Sequence, residues 1–254
     1  MTHRRGAGRL RALAGTFILI AMKNSFGMKN APYCQMPGAQ GKALKARGRP
    51  RSFDRETALE AAMAVFWEKG YEAASISDLT EAMGVNPPSL YAAFGDKEKL
   101  FLAAVDRYLE ERRRSCPYAD EPTARASMEL LLTYMAHELT EPCHPRGCLM
   151  MMAAATTGSA SQVLQKALAN ERAWGRERIR SRIRRGIAEG DVPRGTDANA
   201  LTDFYVTIIT GMGMRARDGA SRKSLLATVE RAMQLFPPAP ARAARRKKRA
   251  AVAA

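Results

Sequence analysis

The sequence predicts an all-α fold of about nine helices. From residue 54 to residue 236, apolar side chains recur at intervals of three and four residues, which is the spacing of one helix face. Residues that favour helix caps and breaks separate these runs, and no segment shows the alternation of a credible strand. With 46% hydrophobic and 26% charged residues, the chain has the composition of a globular protein.

The basic residues are concentrated at the two ends of the chain. Residues 1–51 hold eleven of the 41 Lys and Arg residues and no acidic residue, and residues 241–254 hold six and none. The formal net charge of +16 therefore belongs to the ends, while residues 52–240 are close to neutral. This distribution excludes a uniformly basic coat protein. We expect a disordered basic leader over 1–46 and a disordered basic tail over 237–254.

The leader contains a short apolar run, residues 13–22, that follows four arginines. An exported protein has such a run, but Lys23-Asn24 follows it here instead of a small-residue cleavage site. No apolar segment approaches the roughly 20 residues needed to span a bilayer. The four cysteines are too sparse for a disulfide scaffold, so we expect a cytoplasmic protein with no membrane partner.

The first two helices are defined by their ends. Helical spacing of apolar residues covers 54–69, and Gly70 suits the end of this helix. The sequence Ser75-Ile-Ser-Asp78 has the form of a capping box, in which the two side chains bond to each other's backbone amides. We therefore expect the second helix to begin at Ser75 or at the next residue, and to end before Gly84.

A third, short helix follows after a tight turn. Asn86 is a favoured N-cap, and Pro87 costs nothing in a first turn, where its missing N–H has no partner. Leu90 and Phe94 are four residues apart and face the core, which leaves a small and polar outer face. A fourth helix begins at Lys97. Two short helices with such a turn indicate a helix-turn-helix, whose second helix approaches the DNA major groove.

A signature of about 50 residues runs through this region: Arg49-Pro-Arg51, Phe66-x-x-x-Gly70-Tyr71, Ser75-Ile76-x-x-Leu79, Gly84-Val85-x-x-x-Ser89-Leu90-Tyr91-x-x-Phe94 and Lys97-x-x-Leu100. It resembles the N-terminal signature of the tetracycline-repressor (TetR/AcrR) family of transcriptional regulators. The resemblance implies a helix-turn-helix DNA-binding domain over 47–100. It also implies a ligand-binding and dimerisation domain over 101–236, in a homodimeric repressor that binds a palindromic operator.

The resemblance also implies which residues contact DNA. Ser89 and Tyr91 match positions that contact phosphates or base edges, and Lys97 matches a lysine that contacts the DNA backbone. The expected DNA-binding residues are Arg49, Arg51, Ser77, Pro87, Ser89, Tyr91, Ala92 and Lys97. Residues 47–100 hold seven basic and nine acidic residues, so affinity must depend on where the cations lie and on the basic arms.

Five further helices are predicted towards the C-terminus, over residues 128–141, 148–157, 161–189, 196–215 and 221–236. The last two have faces too apolar for an exposed surface, so they either bury within the subunit or pair across a two-fold axis. The resemblance favours a four-helix dimer interface. Its expected residues are Leu201, Tyr205, Ile208, Leu226, Val229 and Met233.

Methionine and aromatic side chains are frequent on the middle helices, where they either fill the core or line a cavity for a small apolar inducer. A cavity is what the resemblance implies. The expected lining residues are Met128, Leu131, Met135, Met151, Trp174 and Phe204.

One cluster of Cys and His residues invites a metal or redox interpretation. Cys143, His144 and Cys148 lie close together, with His137 upstream, but the second ligand pair of a zinc site is missing. We expect no metal and no cofactor, and Cys148 as a small packing residue; a redox-sensing thiol is the alternative. The sequence has no phosphate-binding loop and no Ser/His/Asp order, so we expect no enzyme.

Two other functions are compatible with parts of the sequence. The basic ends are compatible with a DNA-packaging protein that tolerates any sequence. The apolar run at residues 13–22 is compatible with an exported or membrane-tethered helical protein.

Overall fold

The computed structural model describes residues 54–116, 118–156, 158 and 161–240. This part of the chain forms nine α-helices, one short 3₁₀ helix and no strand, which confirms the all-α prediction. None of these helices is both long and apolar enough to cross a membrane. The predicted leader and most of the predicted tail lie outside the described residues.

The helices are α1 Arg55–Ala73, α2 Ile76–Met83, α3 Pro87–Phe94, α4 Lys97–Ser115, α5 Ala124–Glu138, α6 Leu149–Thr156, α7 Gln162–Glu189, α8 Ala198–Arg217 and α9 Arg222–Gln234. The 3₁₀ helix Tyr118–Asp120 precedes α5. All predicted helices are present, with ends shifted by a few residues. The largest differences are of four residues: α5 begins at Ala124 instead of residue 128, and α1 continues past the predicted end at residue 69, although Gly70 has non-helical backbone angles (φ 80°, ψ 174°).

The ends of α2 and α3 are fixed by the caps that the sequence predicts. The Ser75 hydroxyl accepts a hydrogen bond from the Asp78 amide at 3.0 Å, and the Asp78 carboxylate accepts one from the Ser75 amide at 3.0 Å. Gly84 ends α2 in the left-handed region at φ 66°, which suits a residue without a Cβ. The Asn86 side chain then accepts the Ser89 amide at 2.9 Å and starts α3.

An aromatic core holds α1 against α4. Phe66 of α1 and Phe101 of α4 meet edge to face, with ring centroids 4.9 Å apart, and both are fully buried. The next residue, Trp67, meets Tyr108 of α4 in the same geometry at 4.9 Å. This core supports α2 and α3 from one side and the C-terminal helices from the other.

Helices α5 to α9 together hold more residues than helices α1 to α4. Paired side chains show that α7 and α8 run antiparallel, because Arg176 contacts Asp203 at 2.6 Å and Arg180 contacts Asn199 at 3.4 Å. A close approach sets the position of α6 against α8. A Cβ on Gly213 would lie 2.1 Å from the sulfur of Met151, so this contact exists only because residue 213 has no side chain.

We predict that the α2 cap contributes measurably to stability. Ser75→Ala removes the N-cap acceptor and is expected to lower the free energy of unfolding by about 1 kcal/mol. Ser77→Ala is the matched control, because it makes the same change at an exposed position inside α2. Urea unfolding of both variants measures the difference; equal stabilities would show that the cap does not hold α2.

The same cap gives stability a pH dependence. The Lys69 ammonium, 2.7 Å from Asp78, and the Ser75 amide hold the pKa of the Asp78 carboxyl at about 2, against its usual 3.8. A lowered folded-state pKa contributes stability that is complete above the unfolded pKa and is lost as pH falls through the folded one. Asp78→Asn should therefore lower the melting temperature at pH 7, and the gap to wild type should narrow between pH 4 and pH 2. A gap that stays constant over this range would contradict the prediction.

Candidate nucleic-acid interface and ligand cavity

Helix α3 presents one face to solvent because two of its side chains are committed to the core. Leu90 is fully buried and Phe94 is 6% exposed, whereas Tyr91 is 45% exposed. The opposite side of the helix, called here the outer face of α3, consists of Pro87, Ser89, Tyr91 and Ala92. Of these, only Ser89 is half-buried. Ser77, on α2, is also exposed. A short helix with a small outer face and one exposed phenol can lie close to a DNA groove.

All basic side chains described between residues 54 and 100 have partners within the protein. Lys69 pairs with Asp78 at 2.7 Å, and Lys99 pairs with Asp96 at 3.1 Å. Arg55 lies 4.7 Å over the ring of Phe94. Lys97, which the sequence assigns to DNA, donates to the Glu72 carbonyl at 3.3 Å.

Lys97 is therefore less free than its sequence position suggests. Its ammonium also lies 4.7 Å over the ring of Tyr71, and partial burial lowers the pKa of Lys97. The contact arises because α4 begins beside the end of α1, where carbonyl groups lack partners within the helix. The contact of Lys97 with the DNA backbone stays a prediction. Arg49 and Arg51 lie outside the described residues.

A cluster of four side chains joins α1 to the C-terminal helices. Trp67 is 1% exposed, stacks on His144 at 4.4 Å and meets Tyr108 edge to face at 4.9 Å. Arg217, at the end of α8, donates to the carbonyl oxygens of Trp67 at 3.5 Å and of Glu68 at 2.5 Å. We call Trp67, Tyr108, His144 and Arg217 the Trp67 cluster.

A cavity of about 580 Å³ lies among α5, α6, α7 and α8, within the usual size range of small-molecule sites. Its walls are mainly apolar. They are formed by Tyr118, Leu131, Met135, Cys148, Met150, Met151, Arg172, Gly175, Arg176, Ile179, Val206, Ile209, Thr210 and Met214.

The cavity touches the Trp67 cluster through Cys148. The Tyr108 hydroxyl donates to the sulfur of Cys148 at 3.1 Å, and Cys148 is part of the cavity wall. The neighbouring His144 stacks on Trp67 instead of turning towards Cys148. In the described part of the chain, no three His, Cys, Asp or Glu side chains are arranged to hold a metal ion. Cys148 is thus both a wall residue of the cavity and an acceptor for Tyr108 in this structure.

Half of the six residues expected to line a pocket do so. Leu131, Met135 and Met151 are in the wall of the cavity. Met128 is fully buried in the core instead, and Phe204 lies in a shallow surface groove. Met128 lies three and seven residues before the cavity residues Leu131 and Met135, so spacing alone does not separate a core face from a cavity face on α5.

Trp174 is the third residue that lies outside the cavity. It is 45% exposed, and its ring lies between the guanidinium groups of Arg113 at 4.4 Å and Arg178 at 4.9 Å. The sequence analysis did not single out the α7 residues that do line the cavity, among them Arg172 and Arg176. Ile179 follows these two arginines by seven and three residues, so all three lie on one helix face, but this spacing does not show that the face borders a cavity.

The six residues expected at a dimer interface divide in the same way. Tyr205, Val229 and Met233 are at most 4% exposed within a single chain, and the Tyr205 hydroxyl donates to a carbonyl of α9. Buried in this way, they are not available to a partner, so the expectation is corrected for these three. Leu201 and Ile208 remain partly exposed, as does the sixth residue, Leu226. Leu201 shares its groove with Leu235, which is 67% exposed.

Two family models match the chain. Residues 58–104 match the model described as bacterial regulatory proteins, tetR family, and residues 124–235 match the tetracyclin repressor-like C-terminal domain. The first match covers α2 and α3, most of α1 and the beginning of α4. The second covers the helices that surround the cavity.

Two transcriptional repressors of Escherichia coli match this chain over most of their own length. The HTH-type transcriptional repressor ComR of Escherichia coli K12 is 34% identical over 196 residues, which are 76% of this chain and 93% of ComR. The repressor BdcR of the same organism is 31% identical over 194 residues, covering 74% and 91% of the two chains.

A solved structure also resembles the chain closely. A cysteine mutant of the TetR family regulator CifR, in complex with 26-bp double-strand operator DNA, is 46% identical with a TM-score of 0.70. The match covers 75% of this chain and all of that one. Together with the two family models and the named relatives, it shows that the chain belongs to the TetR family of bacterial transcriptional regulators.

Proposed function

We propose that the chain is a ligand-responsive transcriptional repressor that binds a palindromic operator as a homodimer in the cytoplasm. The observation that carries the proposal is the outer face of α3, which is left exposed by a helix whose other side is fixed in the core. Two relatives are named repressors, and a third is bound to operator DNA, which supports the same role here.

Recognition on this face depends on fit more than on charge. Tyr91 offers a phenol hydroxyl and an aromatic ring, while Pro87 and Ala92 are small enough to let the helix backbone approach the groove. Because the nearby lysines have partners within the protein, they are not free cations beside the helix. Most of the electrostatic attraction is therefore expected from the basic ends of the chain.

A homodimer is supported by the apolar surface of α8 and by the exposed leucine after α9. Leu201, Phe204 and Leu235 line one shallow groove, and Leu235 is 67% exposed. Apolar side chains grouped in this way favour contact with another protein surface. A second copy of the chain is the partner that supplies a palindromic site with its second reading helix.

A response to a ligand is supported by the path from the cavity to α1. A molecule in the cavity contacts Cys148, which is hydrogen-bonded to Tyr108, and Tyr108 packs on Trp67 of α1. Helix α1 also supports the helix-turn-helix through Phe66. A change in cavity shape therefore has a contiguous set of packed side chains through which to act on α3.

We predict that Tyr91→Ala weakens binding to a duplex that the full chain has selected from a random DNA pool. The loss should be about 1 to 3 kcal/mol, the usual value for a base-edge contact. Tyr91→Phe should lose less, because the ring remains. Gel-shift titrations measure the affinities, and melting temperatures confirm that each variant is folded.

A charge reversal on the same face gives an independent check. Ala92→Glu places a carboxylate near the DNA phosphates and should weaken binding more than Tyr91→Ala does. Ala188→Glu makes the same change at an exposed site on α7 and should have little effect. If folded Tyr91→Ala and Ala92→Glu proteins bind the selected duplex as well as wild type does, α3 is not the reading helix.

The basic ends provide the test against a DNA-packaging function. Removing residues 1–45 and 241–254 deletes fourteen basic residues. Fewer counterions are then released on binding, so we expect weaker non-specific affinity and a flatter plot of log K against log salt. The preference for the selected duplex over random DNA should persist, as measured by competition at two salt concentrations. Loss of that preference together with the ends would favour the packaging function.

A further inference from the structure

The cavity wall has an unbalanced charge. Among its residues are two arginines, Arg172 and Arg176, and no aspartate or glutamate. Both arginines lie on α7, four residues apart and so on one side of the helix. A neutral ligand does not require guanidinium groups in the wall, and desolvating such groups beside it is unfavourable.

The two arginines differ in their surroundings. The Nε of Arg176 lies 2.6 Å from the Asp203 carboxylate, which neutralises its charge. Arg172 makes no hydrogen bond or ion pair with any residue in the described part of the chain, and its side chain is exposed at the edge of the cavity. The nearby Glu171 is engaged with Arg113 at 2.7 Å. The cavity therefore has one guanidinium group without a counter-charge among the described residues.

A second polar group in the wall also lacks a described partner. Tyr118 is 5% exposed and lines the cavity, and no described residue hydrogen-bonds to its hydroxyl. Burial raises the pKa of Tyr118, so the phenol stays protonated and able to donate. The Tyr118 hydroxyl oxygen is not itself buried, so it remains accessible to an acceptor group of a molecule in the cavity.

The rest of the wall is apolar and adaptable. Four methionines line the cavity, at positions 135, 150, 151 and 214, and their unbranched side chains can fit differently shaped apolar groups. Leu131 and Ile179 are both largely buried and extend the apolar surface on two different helices. The wall thus combines a large apolar area with one cationic group at its edge.

We propose that the cavity binds a small amphiphile with an apolar body and a single anionic head group, and that Arg172 binds the head group. A carboxylate matches the planar fork of a guanidinium, and the Tyr118 hydroxyl is a further donor. This proposal rests on the ligand response proposed above and names the chemical class of its ligand. Arg172 is then the residue that selects anionic over neutral molecules of the same shape.

The test compares two fluorescent probes with the same apolar body. 1-Anilinonaphthalene-8-sulfonate carries one negative charge, and N-phenyl-1-naphthylamine is its uncharged counterpart. Both are titrated against the full chain and its variants. Arg172→Gln should weaken binding of the anionic probe about tenfold, the scale of one partly solvated charged hydrogen bond, and should change binding of the neutral probe less than about twofold.

Two variants make the result specific to this cavity. Arg184→Gln removes the same charge from an exposed position of α7 outside the cavity and should change neither probe. Gly175→Phe fills the cavity, because nothing lies within 4 Å of a Cβ at this wall position, and should abolish binding of both probes there. Val206→Trp fills it from the facing helix and replaces Gly175→Phe if that variant does not fold.

The outcomes separate the two proposals. If the filled variants block both probes but Arg172→Gln affects them equally or not at all, the cavity binds neutral ligands and the role of Arg172 is wrong. If wild type binds neither probe, or if filling the cavity blocks neither, the ligand site itself fails and so does the proposed ligand response. Competition by decanoate and decanol extends the test to carboxylates. Decanoate should displace the anionic probe from wild type at a lower concentration than decanol does. With Arg172→Gln, decanoate should lose this advantage over decanol.

Discussion

The C-terminal end of α1 is the point on which both parts of the structure depend. Phe66 faces the core of the helix-turn-helix, while the adjacent Trp67 is buried against Tyr108 and His144. Arg217 of α8 donates to the carbonyl oxygens of Trp67 and Glu68, just before the non-helical Gly70 interrupts α1. The DNA-binding helices and the helices around the cavity are thus packed on one short stretch of chain, so neither can shift there without disturbing the other.

In the helix-turn-helix, side-chain caps fix where the helices begin, and the surface is nearly neutral. The side chains of Ser75 and Asn86 fix where α2 and α3 begin, and the outer face of α3 then points away from the core by helix geometry alone. The cations of this domain are held in contacts with Asp78, Asp96 and the Glu72 carbonyl. In the proposed regulator, sequence reading and electrostatic attraction are consequently supplied by different parts of the chain: α3 reads, and the basic ends attract.

Local signals made most of the fold predictable from the sequence. The capping box of α2 and the Asn-Pro start of α3 are interactions between near neighbours in the chain. They therefore allowed the positions of both helices, and with them the exposure of Tyr91, to be predicted. Partners distant in the chain could not be foreseen in the same way. Lys97 contacts α1 across 25 residues, and Tyr205 is buried against α9 instead of facing a partner. Arg172 was not predicted as a site residue, because an arginine on an amphipathic helix is typical of a solvated position, and only tertiary packing shows which residues of α7 meet a cavity.

The proposed ligand response requires that the cavity and the outer face of α3 are coupled through the Trp67 cluster. Two coupled sites must affect each other's affinity by the same factor, so the coupling is tested by measuring the dissociation constant of a cavity probe with the protein free and saturated with its selected duplex. We expect the DNA-bound protein to bind the probe about 5- to 150-fold more weakly, the range of typical coupling energies. The same dissociation constant in both states would show that the cavity and the DNA-binding helices are independent.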